Sequence, residues 1–260
     1  MLRNYLYIRY TYYILVGDSI MIGIGTLLNV AGIILGGFIG LICGKLITSQ
    51  IQDTLLKANG ICVLFLGLAG TLEQMISIQD GRMISSGTMM MILSFSIGSL
   101  IGEWINLDMR MEQFGQWLKQ KTGNAKDRLF VDGFVTASLT VCIGAMAIVG
   151  SIQDGLTGNY STLLTKAILD LIIICVMTAS MGKGCIFSAI PVAILQGSVT
   201  LLARSIEPVM TDAALSNLSF VGNMLIFCVG INLVFENTRI KVANMLPAIF
   251  VAVAWAFLPF

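Results

Sequence analysis

The 260-residue sequence contains no histidine, so it lacks the commonest metal ligand and the side chain that titrates nearest neutral pH. It also lacks the Gly-x-Ser-x-Gly, His-Glu-x-x-His and phosphate-loop motifs of common enzymes. Its six cysteines lie in or beside apolar segments, without the spacing of a metal site or a disulfide framework. These absences predict a protein that is not an enzyme and that uses no cofactor or metal.

Charged residues are also scarce. They make up 11% of the chain, against about 25% in soluble domains, while 57% of the residues are hydrophobic and the mean hydropathy is +0.90. The net charge of +1 is too close to neutral to indicate a nucleic-acid partner. The composition therefore predicts an integral membrane protein whose surroundings are the lipid bilayer.

Eight apolar segments approach the roughly 20 residues that a membrane-spanning helix needs. The sequence predicts an all-α polytopic membrane protein with about eight transmembrane helices, folded as one domain over residues 21–260. Only residues 182–184 separate the fifth and sixth segments, which form a tight hairpin if both cross; one of them could instead be re-entrant. The segments are 24–44, 56–76, 86–105, 130–150, 162–182, 184–203, 216–235 and 242–260.

Residues 1–20 differ from the rest of the chain because they are rich in tyrosine and carry Arg3 and Arg9. Their apolar run is too short for the core of a signal peptide. Met21 stands just before the first apolar segment. We expect Met21 to be the natural start, and residues 1–20 to be a leader assigned to the protein in error.

Lysine and arginine mark the cytoplasmic side of a membrane protein. With eight spans, one side holds only Arg82 and Arg204, plus Arg3 and Arg9 if the leader exists. Both termini are therefore expected outside. The other, cytoplasmic side holds Lys45, Lys57, Arg110, Lys119, Lys121, Lys126, Arg128, Lys183, Arg239 and Lys241.

Glycine recurs at every fourth residue of the first segment, at Gly32, Gly36, Gly40 and Gly44. On a helix these positions form one smooth face, which predicts close packing of a second helix; a pore or solute path along the groove is the alternative. Small residues also recur in the third segment at Ser94, Gly98 and Gly102, and we expect that face to dock against the groove.

Residues 106–121 have the pattern of an amphipathic helix beside Trp104 and Trp117, which predicts an interfacial helix on the cytoplasmic leaflet. A regulatory or partner-binding helix is the alternative. The apolar side chains are Leu107, Met111, Phe114 and Leu118, and the basic ones are Arg110, Lys119 and Lys121.

A weak internal repeat relates the first three segments to the last three. Residues 188–206 align with residues 29–47 without gaps, and residues 230–237 match residues 67–74 in their Gly, Glu and amide positions. Because the two copies start five segments apart, they would enter the membrane from opposite sides. The pattern predicts an inverted repeat, an architecture found in many secondary transporters.

The fourth segment is unusually small and polar for a lipid-facing helix. Asp132, Thr136 and Thr140 recur every fourth residue and form one hydrophilic stripe, with Ser138 near it. This predicts a face turned towards a solute or ion, with the helix breaking near residues 150–155. Alternatively, the hydroxyls bond the carbonyls of the preceding turn.

Lys166 and Asp170 lie four residues apart in the fifth segment, so both charges fall on one helix face. A charge inside a bilayer costs several kcal/mol unless it is paired or wetted. Asp170 is the deeper of the two and the leading candidate for ion binding, with a purely structural ion pair as the alternative. We expect the polar groups of the two middle segments to face a shared wet interior.

The tetrapeptide Ile-Gln-Asp-Gly occurs at residues 78–81 and again at residues 152–155. The expected topology places both copies in outer loops. Asp-Gly is an ordinary turn signal, which favours two turns; alternatively, Gln153 and Asp154 guard an outer vestibule.

Several of these stretches resemble the bacterial YqgA-like membrane proteins, the domain-of-unknown-function 554 family. Asn29 ends the first of them and is counted among the candidate binding residues. Leu171 stands where relatives are expected to carry glycine, which argues against a close helix contact there. The resemblance implies a bacterial inner-membrane protein and supplies no substrate or catalytic residue. The stretches are GTLLN at 25–29, IGEW at 101–104, GF at 133–134, ASL at 137–139, CIGAMAI at 142–148, GSIQDGL at 150–156, and Lys166 with Asp170.

The pattern as a whole predicts a secondary transporter of a small polar solute or ion. Asp170 would bind the coupling cation or proton, Lys166 would tune it, and Thr136, Ser138 and Thr140 would line the path. One alternative is a passive channel, a homo-oligomer joined through the glycine groove. The other is a non-transporting membrane partner or sensor that acts through residues 106–121.

Overall fold

The computed structural model of the protein describes residues 22–79, 82–235 and 239–258, so the expectation about residues 1–20 and Met21 lies outside its described residues. The chain is predominantly helical. Its helices are α1 (Ile24–Leu46), α2 (Ser49–Met75), α3 (Thr88–Ile105), α4 (Leu107–Lys121), α5 (Phe130–Cys142), α6 (Ala145–Thr157), α7 (Ser161–Met181), α8 (Ala189–Leu201), α9 (Ala203–Ile206), α10 (Asp212–Val234), α11 (Val242–Met245) and α12 (Pro247–Trp255), with 3₁₀ turns at Lys183–Ser188 and Glu207–Val209.

Most of the apolar helices are long enough to cross a membrane. In the described part of the chain, six helices meet that length and composition, one of them being α8 together with the 3₁₀ turn before it. The consecutive helices α5 and α6 meet it together but are bent by 62°, and the last apolar stretch, Val242–Trp255, is shorter. Large apolar side chains such as Leu35, Phe38 and Ile42 are exposed, as expected of a surface that faces lipid.

The glycine face of α1 packs against the backbone of α7. A Cβ atom at Gly32 would lie 2.8 Å from the carbonyl oxygen of Ala167, and one at Gly36 would overlap that of Leu171. Gly40 and Gly44 face the backbone of α7 in the same way, one and two turns further on. Leu171 therefore does not prevent a close contact, contrary to the expectation, because its backbone rather than its side chain meets α1.

The small residues of α3 pack elsewhere. Cβ atoms at Gly98 and Gly102 would overlap the backbones of Ala248 and Asn244 in the last apolar stretch, and Ser94 is fully buried. The expectation that this face docks against the glycine groove of α1 is wrong. Periodicity identified both small-residue faces but could not pair them, because either face accepts any closely approaching helix.

Three helix pairs are antiparallel, because their contacts run in opposite directions along the chain. The pairs are α1 with α8, α2 with α10, and α3 with α11–α12. The defining contacts are Thr26 with Thr200 and Gly37 with Ile186, Gly67 with Phe227 and Gly230 with Leu64, and Gly98 with Ala248 and Gly102 with Asn244.

The helix α4 lies against the rest of the protein. Its apolar side chains pack into the core, with Leu118 buried and Phe114 in edge contact with Phe134 of α5, 5.7 Å between ring centroids. Ion pairs join α4 and the end of α3 to the residues just before α11. Lys241 Nζ lies 2.8 Å from Glu103 Oε1, and Arg239 pairs with Asp108 and Glu112. Much of the apolar face of α4 is therefore covered by protein.

A short hairpin interrupts the helical pattern between α2 and α3. Strand β1 (Ile76–Gln79) pairs antiparallel with β2 (Arg82–Ser85), with Ser77 opposite Ile84. The first Ile-Gln-Asp-Gly copy begins in β1, and its Asp80 and Gly81 lie outside the described residues. The second copy is not in a loop as expected, because residues 152–155 belong to α6.

Replacing Gly36 with alanine should destabilise the fold. The added methyl would overlap a backbone oxygen of α7, which cannot rotate away, so the two helices must separate. We expect Gly36→Ala to lower the free energy of unfolding by about 1–3 kcal/mol, measured by thermal unfolding in detergent micelles.

Gly197→Ala is the matched control, since a Cβ atom there has nothing within 4 Å. Alanine favours a helix over glycine by up to about 1 kcal/mol, so this variant should be as stable as the wild type or slightly more stable. Equal losses in both variants would contradict the packing role of Gly36.

Candidate functional site

The break between α5 and α6 is built around Gly144. This residue has φ 146° and ψ 147°, a conformation essentially restricted to glycine. A Cβ atom at Gly144 would have nothing within 4 Å, so open space adjoins the break. The expected break near residues 150–155 is wrong: Gly150 and Gly155 lie inside α6, where they pack against Leu163 and Thr200.

The two half-helices together run the full length of their neighbours. The start of α5 meets Gly184, where the sixth apolar stretch begins, and the end of α6 meets Thr200, where it ends. Along α7, Gly133 faces Met181 and Gly150 faces Leu163, so α7 is antiparallel to the pair. The pair therefore does not return to its starting side, and the break lies opposite the middle of α7.

Lys166 and Asp170 form a closed ion pair in that middle region. The Nζ atom of Lys166 lies 2.9 Å from Oδ1 and 2.8 Å from Oδ2 of Asp170. The two residues are only 8% and 3% exposed. The expectation that these charges face a wet interior is not met in this conformation, because each charge is satisfied by the other within one helix.

Two neighbours connect the ion pair to the rest of the site. Cys142, the last residue of α5, lies close enough to Lys166 and Asp170 to interact with both charges. Asn29 of α1 is fully buried and lies near the Asp170 carboxylate, although neither amide atom makes a hydrogen bond within 3.5 Å. The pair, the break and α1 therefore meet in one place.

A second buried carboxylate lies at the N-terminus of α1. Asp154 is fully buried, and its Oδ2 accepts a hydrogen bond of 3.1 Å from the backbone N–H of Gly25. Its Oδ1 has no hydrogen-bond partner. The adjacent Gln153 accepts a hydrogen bond of 2.7 Å from Thr162. Asp154 thus occupies a helix interface rather than the open vestibule that the sequence suggested.

The hydroxyl side chains of α5 do not converge on the break at Gly144. Ser138 donates to the carbonyl of Phe134 at 2.6 Å and Thr140 to that of Thr136 at 2.8 Å, so these hydroxyls are satisfied within their own helix. Thr136 is half-buried, and Asp132 is exposed in the first turn of α5. The structure therefore brings Asn29, Lys166 and Asp170 together and leaves Asp132 apart.

Three polar residues near Asp154 were not singled out from the sequence. Thr26 and Thr200 are buried with their hydroxyl oxygens 3.4 Å apart. Gln196 is 1% exposed, and neither atom of its amide has a hydrogen-bond partner. The available signal was an amide in an otherwise apolar span, followed one turn later by a hydroxyl.

These features define a polytopic α-helical membrane protein with polar groups buried among its spans. The chain belongs to the DUF554 family, described as a protein of unknown function, whose model matches residues 24–257, which confirms the resemblance seen in the sequence. It is 30% identical over 227 residues to the uncharacterized membrane protein YdfK of Bacillus subtilis (strain 168), covering 87% of this chain and 93% of that protein.

It is also 23% identical over 233 residues to the uncharacterized protein YqgA of Escherichia coli (strain K12), covering 88% of this chain and 94% of that protein. No solved structure matches the chain.

Breaking the Lys166–Asp170 pair from either side should destabilise the protein strongly. Asp170→Asn or Lys166→Met leaves one buried charge without its partner, which costs about 3–5 kcal/mol. The double variant Lys166→Met/Asp170→Asn should recover much of that loss, because no charge remains buried. The measurement is thermal unfolding in detergent of the four proteins of this double-mutant cycle.

The pair formed by Asp53 and Lys57 is the control, since it has the same four-residue spacing but side chains 49% and 43% exposed. Asp53→Asn should change stability by about 1 kcal/mol or less. Strictly additive losses at Lys166 and Asp170 would show that the buried charges do not depend on one another.

Proposed function

We propose that the protein is a secondary transporter of a small polar solute or ion, with its central site at the break between α5 and α6. The observation that carries the proposal is the position of this break, opposite the buried Lys166–Asp170 pair in the middle of the spans. Discontinuous helices at mid-membrane are typical of transporter sites, because their ends present unpaired backbone groups to the solute.

The chemistry of the break suits a polar ligand. The last turn of α5 carries carbonyl oxygens, and the first turn of α6 carries N–H groups, that have no partner within the helix. Open space adjoins Gly144 between them, and the charges of Lys166 and Asp170 lie beside Cys142. In this proposal Asp170 exchanges Lys166 for the coupling cation or proton, while Asn29 holds the carboxylate from α1.

An inverted repeat supports movement around that site. Counted as spans, α5–α6 and the last apolar stretch bring the total to eight, and spans 1, 2 and 3 pair antiparallel with spans 6, 7 and 8. The contacts between α2 and α10 are reciprocal: Gly67 of α2 faces Phe227 of α10, and Gly230, which aligns with Gly67 in the repeat, faces Leu64 of α2. Alternating access would rock one repeat against the other.

We place the protein in the bacterial inner membrane with both termini outside, because the basic residues concentrate on the opposite side. Helix α4 then lies at the cytoplasmic face with Trp104 and Trp117 exposed, which suits anchoring at the interface. Its apolar face packs partly on the protein, which favours a fixed element of the bundle over a free sensor helix.

The structure argues against a passive channel assembled through the glycine face of α1. An oligomer joined through Gly32, Gly36, Gly40 and Gly44 would need that face to be free, whereas α7 of the same chain covers it. A channel would have to assemble through another surface.

Labelling of Cys142 tests the proposal without knowledge of the solute. In a variant whose other five cysteines are replaced by alanine, a membrane-impermeant methanethiosulfonate reagent is applied to either side of proteoliposomes containing protein of known orientation. Alternating access predicts that Cys142 reacts from both sides, and that changing the monovalent cation or pH raises labelling from one side while lowering it from the other.

Each competing function predicts a different result. A passive channel gives labelling from both sides that rises and falls together, and a closed helical bundle gives none. A matched variant with its one cysteine at Leu35, an exposed residue of α1 that we expect to face lipid, controls for reagent that enters the bilayer. Failure of Cys142 to react from either side overturns the transport proposal.

A further inference from the structure

Several polar groups near Asp154 are buried and lack hydrogen-bond partners, which is uncommon in a protein interior. Asp154, Asn29 and Gln196 are each at most 1% exposed, and the Oδ1 atom of Asp154 and both amides have no hydrogen-bond partner. A buried polar group without a partner costs free energy. Three such groups in one region indicate a ligand that binds their free oxygens.

These groups converge because of how α1, α6 and α8 pack. Gly25 binds Asp154 directly, and Gly155 lies against the backbone of Thr200, so the carboxylate lies close to the contact between Thr26 and Thr200. Asn29 and Gln196 lie about one turn further in on their helices. Because α1 and α8 are antiparallel, this brings the two amides to the same depth.

The charge of the site is also incomplete. No described lysine or arginine pairs with Asp154, and Lys166 has its ammonium bound to both oxygens of Asp170. The N-terminus of α1 supplies about half of one positive charge. It accounts for Oδ2 of Asp154, and leaves Oδ1 and the two amides unexplained.

We propose that Asp154 Oδ1, together with the side-chain oxygens of Thr26, Asn29, Gln196 and Thr200, binds a dehydrated monovalent cation of the sodium class. One carboxylate with neutral oxygens balances a single positive charge, whereas calcium sites draw on several carboxylates. The described residues contain no cluster of three or more His, Cys, Asp or Glu side chains that could hold a metal ion, which also favours the monovalent class.

Asn29 connects this site to the central one, because it also lies near the Asp170 carboxylate. The assignment of the cation as the coupling ion rests on the proposed transport function. The binding site itself does not, because it follows from the unpartnered oxygens of Asp154, Asn29 and Gln196 and from the two threonine hydroxyls near them.

The test is the thermal unfolding of the purified full chain in detergent, in NaCl, KCl, LiCl or choline chloride at constant ionic strength. Sodium should raise the Tm of the wild type above its value in choline, by roughly 5–10 °C when the cation is at a hundred times its Kd. The control Asp212→Asn, an exposed carboxylate at the start of α10, should keep that shift.

Asp154→Asn should abolish the sodium shift and leave the Tm in choline equal to or above that of the wild type, because it removes the uncompensated charge. Thr200→Val and Gln196→Met should weaken sodium binding at least about tenfold while keeping the fold, and they decide the question if Asp154→Asn does not fold. A wild type with the same Tm in all four salts, or an Asp154→Asn variant with the full sodium shift, overturns the site.

The two experiments distinguish failure of the transport proposal from failure of the cation site. If sodium binds as described and Cys142 is never labelled, the cation site stands and the transport proposal fails. If Cys142 shows alternating labelling and no salt changes the Tm, transport stands and this site fails.

Discussion

The backbone contact between α1 and α7 positions the buried polar groups of this protein. Helices with ordinary side chains pack with their axes about 8–10 Å apart, but the glycines of α1 let it lie directly on the carbonyl oxygens of α7. That contact brings Asn29 beside Asp170, and the α1 N-terminus close to α6, where Asp154 binds it. A bulky residue at Gly32, Gly36, Gly40 or Gly44 would displace both contacts together, although none of these four glycines takes part in either.

The two buried carboxylates are stabilised in different ways, and the difference bears on what each can do. Asp170 has its counter-charge on its own helix, so the ion pair can move with α7 as a unit. Asp154 depends on a backbone N–H of another helix and on the partial charge at that helix terminus. Its stabilisation therefore changes whenever α1 and α6 move apart, which suits Asp154 to report that movement.

Local periodicity was enough to predict the all-α class and the approximate bounds of many of the helices. The glycine face of α1, the Lys166–Asp170 pair and the approximate helix bounds each depend on spacing within one segment. Spacing within one segment does not determine three other features. These are the helix that packs on the glycine face, the break at Gly144, and the grouping of Thr26, Gln196 and Thr200 near Asp154. Gly144 resembles its neighbours Gly150 and Gly155 in sequence, and only its backbone dihedral angles distinguish it. Thr26 meets Thr200 because of the register between two helices that are distant in sequence, which no single segment encodes.

The position of the proposed cation site at Asp154 indicates how a bound cation would affect the equilibrium between open and closed conformations. The oxygens that would bind it come from three helices, with α1 on one side and α6 and α8 on the other, near the end of the bundle where α1 begins. Thr26 and Thr200 connect α1 and α8 there, so opening that end would separate these two helices. A cation held by oxygens on both sides binds only while they are together, and a ligand shifts an equilibrium towards the state that it binds better. Occupancy would therefore keep this end closed, and release would allow Asp154 to become hydrated as the helices part. In the inverted repeat that we propose, α1 and α8 occupy equivalent places, so the same separation at one end would correspond to closure at the other.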